Sequence, residues 1–167
     1  MIGKLEHVPL REIWQHEARD FSSWLFDNFD VLSDQIGISI TPLEKEKSVG
    51  PFNVDIWAED SNGRTVIIEN QLEKTDHDHL GKLFTYMSNL DAKIGIWVSS
   101  HPRNEHRTAI TYLNEIAPAD MAFYLVKLEA YRIGESQPAP LFTVEAGPSA
   151  ESSARGKVKK EHAEQDK

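Results

Sequence analysis

Residues 52–72 read FNVDIWAEDSNGRTVIIENQL, and this stretch decides the predicted fold. Both halves are rich in apolar and β-branched residues, so each half predicts a strand, over 52–59 and over 64–71. Between them lies Asp60-Ser61-Asn62-Gly63, which is a turn signal. The stretch therefore predicts a hairpin whose strands are apolar on both faces and are covered by other elements.

The turn residues predict how the two strands pair. In a three-residue loop over 61–63, Asp60 begins a type I turn and Gly63 takes the left-handed bulge position, and both residue types suit these places. Asp55 then lies opposite Glu69. A two-residue turn would shift the register by one and put the two carboxylates on opposite faces. We favour the three-residue loop because it uses Asp60 and Gly63 well.

Two opposed carboxylates on one face of a hairpin predict a metal site. Opposed Cβ atoms lie about 4.5–5.5 Å apart, and carboxylates so close repel each other unless a cation neutralises them. Mg²⁺ is typically held by one or two carboxylates. Gln71 lies two residues beyond Glu69 and so shares its face. The alternative interpretation is three polar side chains on a solvated sheet face, which the apolar character of both strands disfavours.

The remaining periodicity predicts a mixed sheet covered by helices. Helices are predicted over 12–28, 30–35, 76–90 and 104–116, the second ending at Gly37. Further strands are predicted over 38–47, 93–99, 121–133 and 141–144. Thr75 with Asp78 resembles a capping box at the start of helix 76–90. Three consecutive strands suggest a meander, and the following helix is long enough for a crossover to a parallel strand. The fold class is α/β or α+β.

Composition bounds the function. The chain has 167 residues, a formal net charge of −9 and no cysteine, which excludes disulfides, thiolate zinc sites and a cysteine nucleophile. Residues 147–167 contain five basic and four acidic residues and a single large apolar one, so they predict a disordered linker or tail. The predicted domain, 1–146, carries −10, which argues against coating nucleic acid by bulk charge but allows a local basic groove. Without a signal peptide or an apolar span, we expect no membrane association and a cytoplasmic protein.

The pattern resembles the PD-(D/E)XK nuclease superfamily, which has the restriction-endonuclease-like fold. The core of that superfamily is α-β-β-β-α-β, the order predicted here over 12–99. Its signature is an acid on the second strand and acid-x-Lys on the third, which correspond to Asp55 and to Glu69-Asn70-Gln71. Val54 stands where the motif has Pro, and Gln71 stands where it has Lys. The run IIENQLEKTDHDHL at 67–80 also resembles an uncharacterised bacterial family in which a second domain often follows a linker.

The resemblance implies a nuclease that uses Mg²⁺ or Mn²⁺ to hydrolyse phosphodiester bonds in DNA, with a role in bacterial DNA processing or defence. Asp55 and Glu69 would bind the metal. Glu17 on the first helix would add a further ligand, with Asp20 as the second choice. Gln71 would orient the attacking water, a role in which the motif has Lys.

Helix 76–90 carries the predicted substrate contacts. His79 and Lys82 share a helix face, with Tyr86 on the next turn. His79 would assist proton transfer or contact phosphate, and Lys82 would bind phosphate. A solvated helix face is the alternative interpretation for both. Near the next helix, Arg103, His106 and Arg107 are interpreted either as a local DNA-contacting patch or as ordinary surface charge, and the second is favoured.

Two hypotheses follow for the whole chain. The first is the metal-dependent DNA endonuclease, and the second is a catalytically degenerate module that binds nucleic acid or a protein partner. Cutting both strands of a duplex would favour a symmetric homodimer. The predicted edge strands, 38–47 and 121–133, are the candidate surfaces for it.

Overall fold

The computed structural model of the chain describes residues 1–149, without the side chains of residues 17 and 18. In chain order its elements are β1 (Leu5–His7), α1 (Leu10–Ile13), α2 (Glu17–Asp27), α3 (Phe29–Ile36), β2 (Ile40–Val49), β3 (Phe52–Asp60), β4 (Thr65–Lys74), α4 (His77–Leu90), β5 (Ile94–His101), α5 (Asn104–Ile116), β6 (Ala122–Ile133) and β7 (Ala139–Ala146). Among these elements there is no helix with the length and apolar character that a membrane span requires. Of the predicted tail, 147–167, the residues from 150 onward lie outside the described part of the chain.

A seven-stranded mixed sheet forms the centre of the fold. Its strand order is β1-β6-β5-β4-β3-β2, with β7 also paired to β6. β2, β3 and β4 form the predicted antiparallel meander. The helix α4 leads from β4 to the parallel strand β5, and α5 leads from β5 to the parallel strand β6. The predicted fold class, a mixed sheet with an α-β-β-β-α-β core and flanking helices, is confirmed.

The strands at the margins of the sheet differ in part from the prediction. β2 lies at one edge as expected, but residues 121–133 do not form an edge, because β6 pairs with β5, β7 and β1. β1 was not predicted at all. It has three residues, all exposed, so its sequence carries no alternating apolar pattern.

Helices cover both faces of the sheet. On one face α2 and α3 bury a layer that includes Phe21, Leu25 and Ile68, and on the other α4 and α5 bury a layer that includes Leu83 and Ile67. Neighbouring residues of β4 thus enter opposite layers, since side chains alternate along a strand. This explains why the strand reads as a continuous apolar run, and why its polar residues lie in covered positions.

The predicted helix over 12–28 is wrong as a single element. α1 ends at Ile13, and Trp14 is extended with φ −121° and ψ 93° before α2 begins at Glu17. The break lets Trp14 fold back into the core, where it is 5% exposed and meets Phe21 edge to face at 4.8 Å. By contrast, the predicted helix end at Gly37 is confirmed, with φ of 75° in the left-handed region that favours glycine.

Candidate metal centre

The β3–β4 hairpin has the predicted three-residue loop. Asp60 N donates to Arg64 O at 3.0 Å and closes it. The Asp60 carboxylate accepts two backbone N–H groups, at 2.9 and 2.8 Å, and pairs with the Arg64 guanidinium at 2.6 Å. Gly63 has φ of 77°, a left-handed conformation. Ile56 consequently pairs with Ile68, so the predicted register is confirmed.

β3 is distorted at Asp55. Val54 packs in the layer under α4, whereas Ile56 packs in the layer under α2, although alternate residues of a regular strand share a face. The β3–β4 ladder ends at Ile56. Beyond it, the backbone N–H of Asn70 donates to Asp55 Oδ2 at 2.8 Å. A carboxylate thus takes the place of a ladder carbonyl and is held beside Glu69.

Asp55, which is partly buried, and Glu69, which is buried, form a carboxyl pair within hydrogen-bonding range of each other. Glu69 is only 4% exposed. Burial, followed by the charge of Asp55 and the hydrogen bond to it, raises the pKa of Glu69 to about 10. Burial also raises the pKa of Asp55, against the hydrogen bond from Asn70. Without a cation the two groups therefore share a proton.

One oxygen of this pair has no partner. Glu69 Oε1 is buried and accepts no hydrogen bond from any residue in the described part of the chain. A buried acceptor without a donor costs about 1–3 kcal/mol, so such an atom marks a place where another group belongs. The carboxyl pair therefore offers hard, anionic oxygen donors to a cation.

The predicted face of α4 turns toward the acids. His79 and Lys82 both act electrostatically on Asp55, and Lys82 also acts on Glu69. Tyr86, one turn further, is 4% exposed, and burial followed by the charge of Glu69 raises its pKa. The Lys82 ammonium pairs directly with Asp78, at 3.3 Å, rather than with the acid pair. The structure thus brings the predicted substrate-binding residues to the predicted metal ligands.

Gln71 is buried and its side chain is fully engaged. Its Nε2 donates to Lys74 O and to Asp76 Oδ2, both at 2.8 Å. Its Oε1 accepts from the indole Nε1 of Trp97 at 3.1 Å. An amide nitrogen has two hydrogens, so neither is left to donate to a water. Gln71 therefore has no free N–H with which to orient an attacking water, as was predicted for it. The geometry favours a role in positioning Asp76.

Asp76, which the sequence analysis missed, is the centre of this network. It is the N-cap of α4, and Oδ1 accepts from His79 N at 2.7 Å and contacts His79 Nδ1 at 2.8 Å. The expected capping box headed by Thr75 is therefore wrong, because Thr75 Oγ1 accepts from Arg103 N instead. Asp is as good an N-cap as Thr or better, and Asp76 three residues before His79 was the available signal.

Asp76, Asp78 and His79 are a second group able to hold a metal ion, with ligand atoms within 4.8 Å of one another. The atoms are already engaged in other interactions. Gln71 and His79 occupy the oxygens of Asp76, and Lys82 pairs with Asp78. These contacts give the group a capping role in addition to any role as metal ligands.

The predicted metal ligands on the first helix are Glu17 and, as the second choice, Asp20. Glu17 is the first residue of α2, and its side chain lies outside the described part of the structure. The second choice, Asp20, accepts a hydrogen bond from His16 N at 2.9 Å and so closes the first turn of α2.

His106 is not a surface residue, unlike its predicted companions. It is 1% exposed, and its two ring nitrogens contact Thr75 Oγ1 at 2.7 Å and His77 Nδ1 at 2.9 Å. Burial and the neighbouring His77 lower its pKa. Arg103 is exposed and Arg107 partly so, and both lie in the first turn of α5 or directly before it.

The fold is the restriction-endonuclease-like nuclease fold, and the acid pair lies on its central hairpin. The structure is similar to a repair endonuclease from Pyrococcus abyssi, with a TM-score of 0.51 and 21% identity over 65% of this chain and 45% of that one. It is also similar to EndoMS in a complex with dsDNA, with a TM-score of 0.50 and 19% identity over 66% of this chain and 44% of that one. The match spans less than half the length of either protein, and at these identities what is shared is the fold. No family model and no curated protein matches the sequence.

Proposed function

We propose that this chain is a divalent-metal-dependent nuclease that hydrolyses phosphodiester bonds in DNA, with residues 1–146 as the nuclease domain. The observation that carries the proposal is the pair of the partly buried Asp55 and the buried Glu69, with the unpartnered Glu69 Oε1. The fold shared with a repair endonuclease and with a protein in complex with dsDNA supports it. A role in bacterial DNA processing or defence, in the cytoplasm, belongs to the same proposal.

The residues of the pair fit a hard divalent cation. Asp55 and Glu69 would hold Mg²⁺ or Mn²⁺, because carboxylate oxygens are the ligands these ions prefer. When bound, such an ion lowers the pKa of a coordinated water and neutralises charge on a phosphate. Binding would also remove the proton that the pair otherwise shares, since metal ligands must be deprotonated.

In this proposal Lys82 contacts phosphate and His79 assists proton transfer. A carboxylate only accepts hydrogen bonds, so the contact with Asp76 places the His79 proton on Nδ1 and leaves Nε2 as an acceptor. His79 Nε2 has no partner among the side chains that the structure describes, which do not include Glu17, and is available to a proton or a water. Lys82 contributes positive charge beside the acids, where the motif Lys is missing.

Gln71 and Asp76 act in this proposal as positioning residues. Gln71 holds one oxygen of Asp76, and Asp76 holds the ring and the backbone of His79 through the other. Gln71, which stands where the motif has Lys, is thus linked to His79 on α4 by hydrogen bonds through Asp76. Replacement of Lys by Gln at this position is therefore accompanied by a local network that the Gln amide completes.

Calorimetric titration with MgCl₂ and MnCl₂ and a plasmid-nicking assay test the proposal together. We expect wild type to bind metal and to nick, and Asp55→Ala with Glu69→Ala to do neither. Asp78→Asn is the matched control, since it removes one carboxylate from the Asp76, Asp78 and His79 group and leaves the pair intact. Metal binding that survives in the double variant but is lost in Asp78→Asn would move the metal site to the N-terminus of α4 and contradict the proposal.

The degenerate-module hypothesis is favoured by a single observation, the full engagement of Gln71. A chain of this kind would bind DNA or a protein partner without cutting. It predicts DNA binding in EDTA, no nicking with either metal, and no change in DNA affinity on Asp55→Ala. The same titration and nicking assay separate the two functions.

A further inference from the structure

A cavity of about 440 Å³ lies where strands β4 and β5 end and α5 begins. Every residue that lines it except one is cationic or a histidine, and the set is Lys74, His101, Pro102, Arg103, Arg107 and Lys127. No carboxylate is among them. Because the predicted domain carries −10, a cavity with this lining is a strong local exception to the charge of the molecule.

The cations come from separate elements that the topology brings together. Lys74 ends β4, Arg107 lies in α5, and Lys127 lies on β6 beside Ser99 of β5. These three strands are parallel to one another, so their carboxyl ends meet at one edge of the sheet. In α/β sheets, ligands bind outside this edge.

Three of the four Lys and Arg side chains of the cavity are weakly committed to protein partners, and the fourth, Arg103, pairs closely with Glu105 at 2.5 Å. Lys74 has no ion pair with any residue that the structure describes. Arg107 pairs with Glu145 at 3.4 Å, and Lys127 with Glu129 at 3.8 Å, through partly exposed side chains. Such pairs contribute little to stability and exchange readily. Arg107 Nε, moreover, is buried without an acceptor among residues 1–149.

The cavity is close to the acid pair along the chain. Lys74 follows Glu69 on β4, so an extended backbone separates their Cα atoms by at most about 17 Å. Measured along the helix axis of B-DNA, that span corresponds to at most about five base-pair steps. Gln71 joins the two places, since its Nε2 donates to Lys74 O at 2.8 Å.

We propose that this cavity binds a backbone phosphate of the DNA strand whose scissile bond lies at Asp55 and Glu69. Arg107 and Lys74 are its principal ligands, because one has an unpartnered buried donor and the other an unpaired ammonium. The inference rests on the proposed function for the position of the strand. The phosphate bound in the cavity would lie several nucleotides from the scissile bond. This local contact would add DNA affinity to a protein whose net negative charge opposes DNA binding.

Fluorescence anisotropy with a short dye-labelled DNA duplex with hydroxyl ends, in EDTA, tests the proposal. We expect Arg107→Gln to weaken binding about tenfold, as loss of a charge-assisted contact would. The slope of log K against log salt should fall by about 0.9 for one lost phosphate contact. Lys74→Gln is the second variant and should act in the same direction. Lys93→Gln is the matched control, because it removes one positive charge just before β5, at the opposite end of that strand.

Three results would overturn the inference. Equal weakening by Lys93→Gln would show a bulk charge effect, and no weakening by Arg107→Gln or Lys74→Gln would show an empty cavity. Dependence on Arg107 that is seen only with a 5′-phosphorylated duplex would assign the cavity to a terminal phosphate. Unchanged thermal unfolding of each variant is required for comparison. Since the assay contains EDTA, failure of metal binding at the acid pair leaves it unaffected, and failure of the cavity leaves calorimetric metal binding unaffected.

Discussion

At the residue scale, the burial of Glu69 beside Asp55 decides the chemistry of the centre. A carboxyl group that is kept protonated by its surroundings lowers the stability of the fold as the pH rises, and a bound cation removes this penalty. Folding stability at the centre is therefore coupled to pH and, in the proposed function, to metal binding. Two predictions follow from individual side chains of this centre.

The first concerns Glu69→Gln in metal-free protein. The pKa of Glu69 rises from 4.5 when unfolded to about 10 when folded. Its contribution to stability is complete below pH 4.5 and is lost as the pH rises toward 10. Urea unfolding in EDTA should therefore show wild type losing stability between pH 5 and pH 8, on the order of 4 kcal/mol, relative to Glu69→Gln. Glu59→Gln, on β3, serves as control and should follow wild type. Parallel curves for wild type and Glu69→Gln would contradict the prediction.

The second concerns Gln71→Lys, which restores the motif residue. Lysine has no acceptor, so the Trp97 indole N–H would lose its partner at a buried site. We expect a loss of about 2–4 kcal/mol in the free energy of unfolding. Trp97→Phe removes that donor, so the double variant should lose less than the sum of the single variants in a double-mutant cycle. Additive losses would show that the two side chains do not depend on each other.

At the scale of elements, the β3–β4 hairpin sets the geometry of the acid pair. Its loop fixes the register, and a slip by one residue would send Asp55 and Glu69 to opposite faces. Asp60 and Gly63 act together here, one by accepting backbone N–H groups and the other by its left-handed conformation. The stability of this loop is therefore also a condition for the proposed metal binding.

Asp60→Asn tests the loop. Hydrogen bonds from Arg64 and Asn62 and the Arg64 guanidinium hold the pKa of Asp60 below its ordinary 3.8, against the effect of burial. Its contribution is thus present above pH 3.8 and is lost as the pH falls through the lower, folded value. We expect Asp60→Asn to cost about 1–3 kcal/mol at pH 7 in urea unfolding, with the difference shrinking in acid below pH 3.8. Asp34→Asn, an exposed carboxylate on α3, should show no such loss. A pH-independent difference would mean that charge is not involved.

At the scale of the whole molecule, the sheet over residues 1–149 has two long edge strands, β2 and β7, and β2 is protected against pairing. A register shift lies between Pro42 and Glu44, and Glu46 has a left-handed φ of 52°. Lys45 and Lys47 put charges along the same strand. Bulges and charges of this kind oppose edge-to-edge association. Self-association through β2 is therefore disfavoured.

We accordingly expect the free chain to sediment as a monomer at micromolar concentration in analytical ultracentrifugation. Addition of a DNA duplex shows whether two copies assemble on it. A stable dimer in the absence of DNA would contradict the expectation. Lys45→Val with Lys47→Val, which removes the protective charges, should increase self-association, while Lys93→Val, away from β2, should not.

The sequence by itself determined the central hairpin and its register. Asp60 and Gly63 specify the loop through local backbone chemistry, and the alternation of side chains then places Asp55 beside Glu69. The α5 helix, 104–116, was likewise predicted with its observed bounds, because its periodicity is unbroken. The order of elements around the hairpin followed from the same local patterns.

Only the tertiary structure decided what surrounds the pair. Gln71 meets Trp97 from the next strand, and the basic cavity combines Lys74 with Arg107 and Lys127. The tertiary structure also decided three features of the fold, which are the strand β1, the break after α1 and the interior place of β6. The physical reason is that periodicity reports only which face of an element a residue occupies. The partner across that face comes from residues distant in the chain, which the packing of helices on the parallel strands brings together.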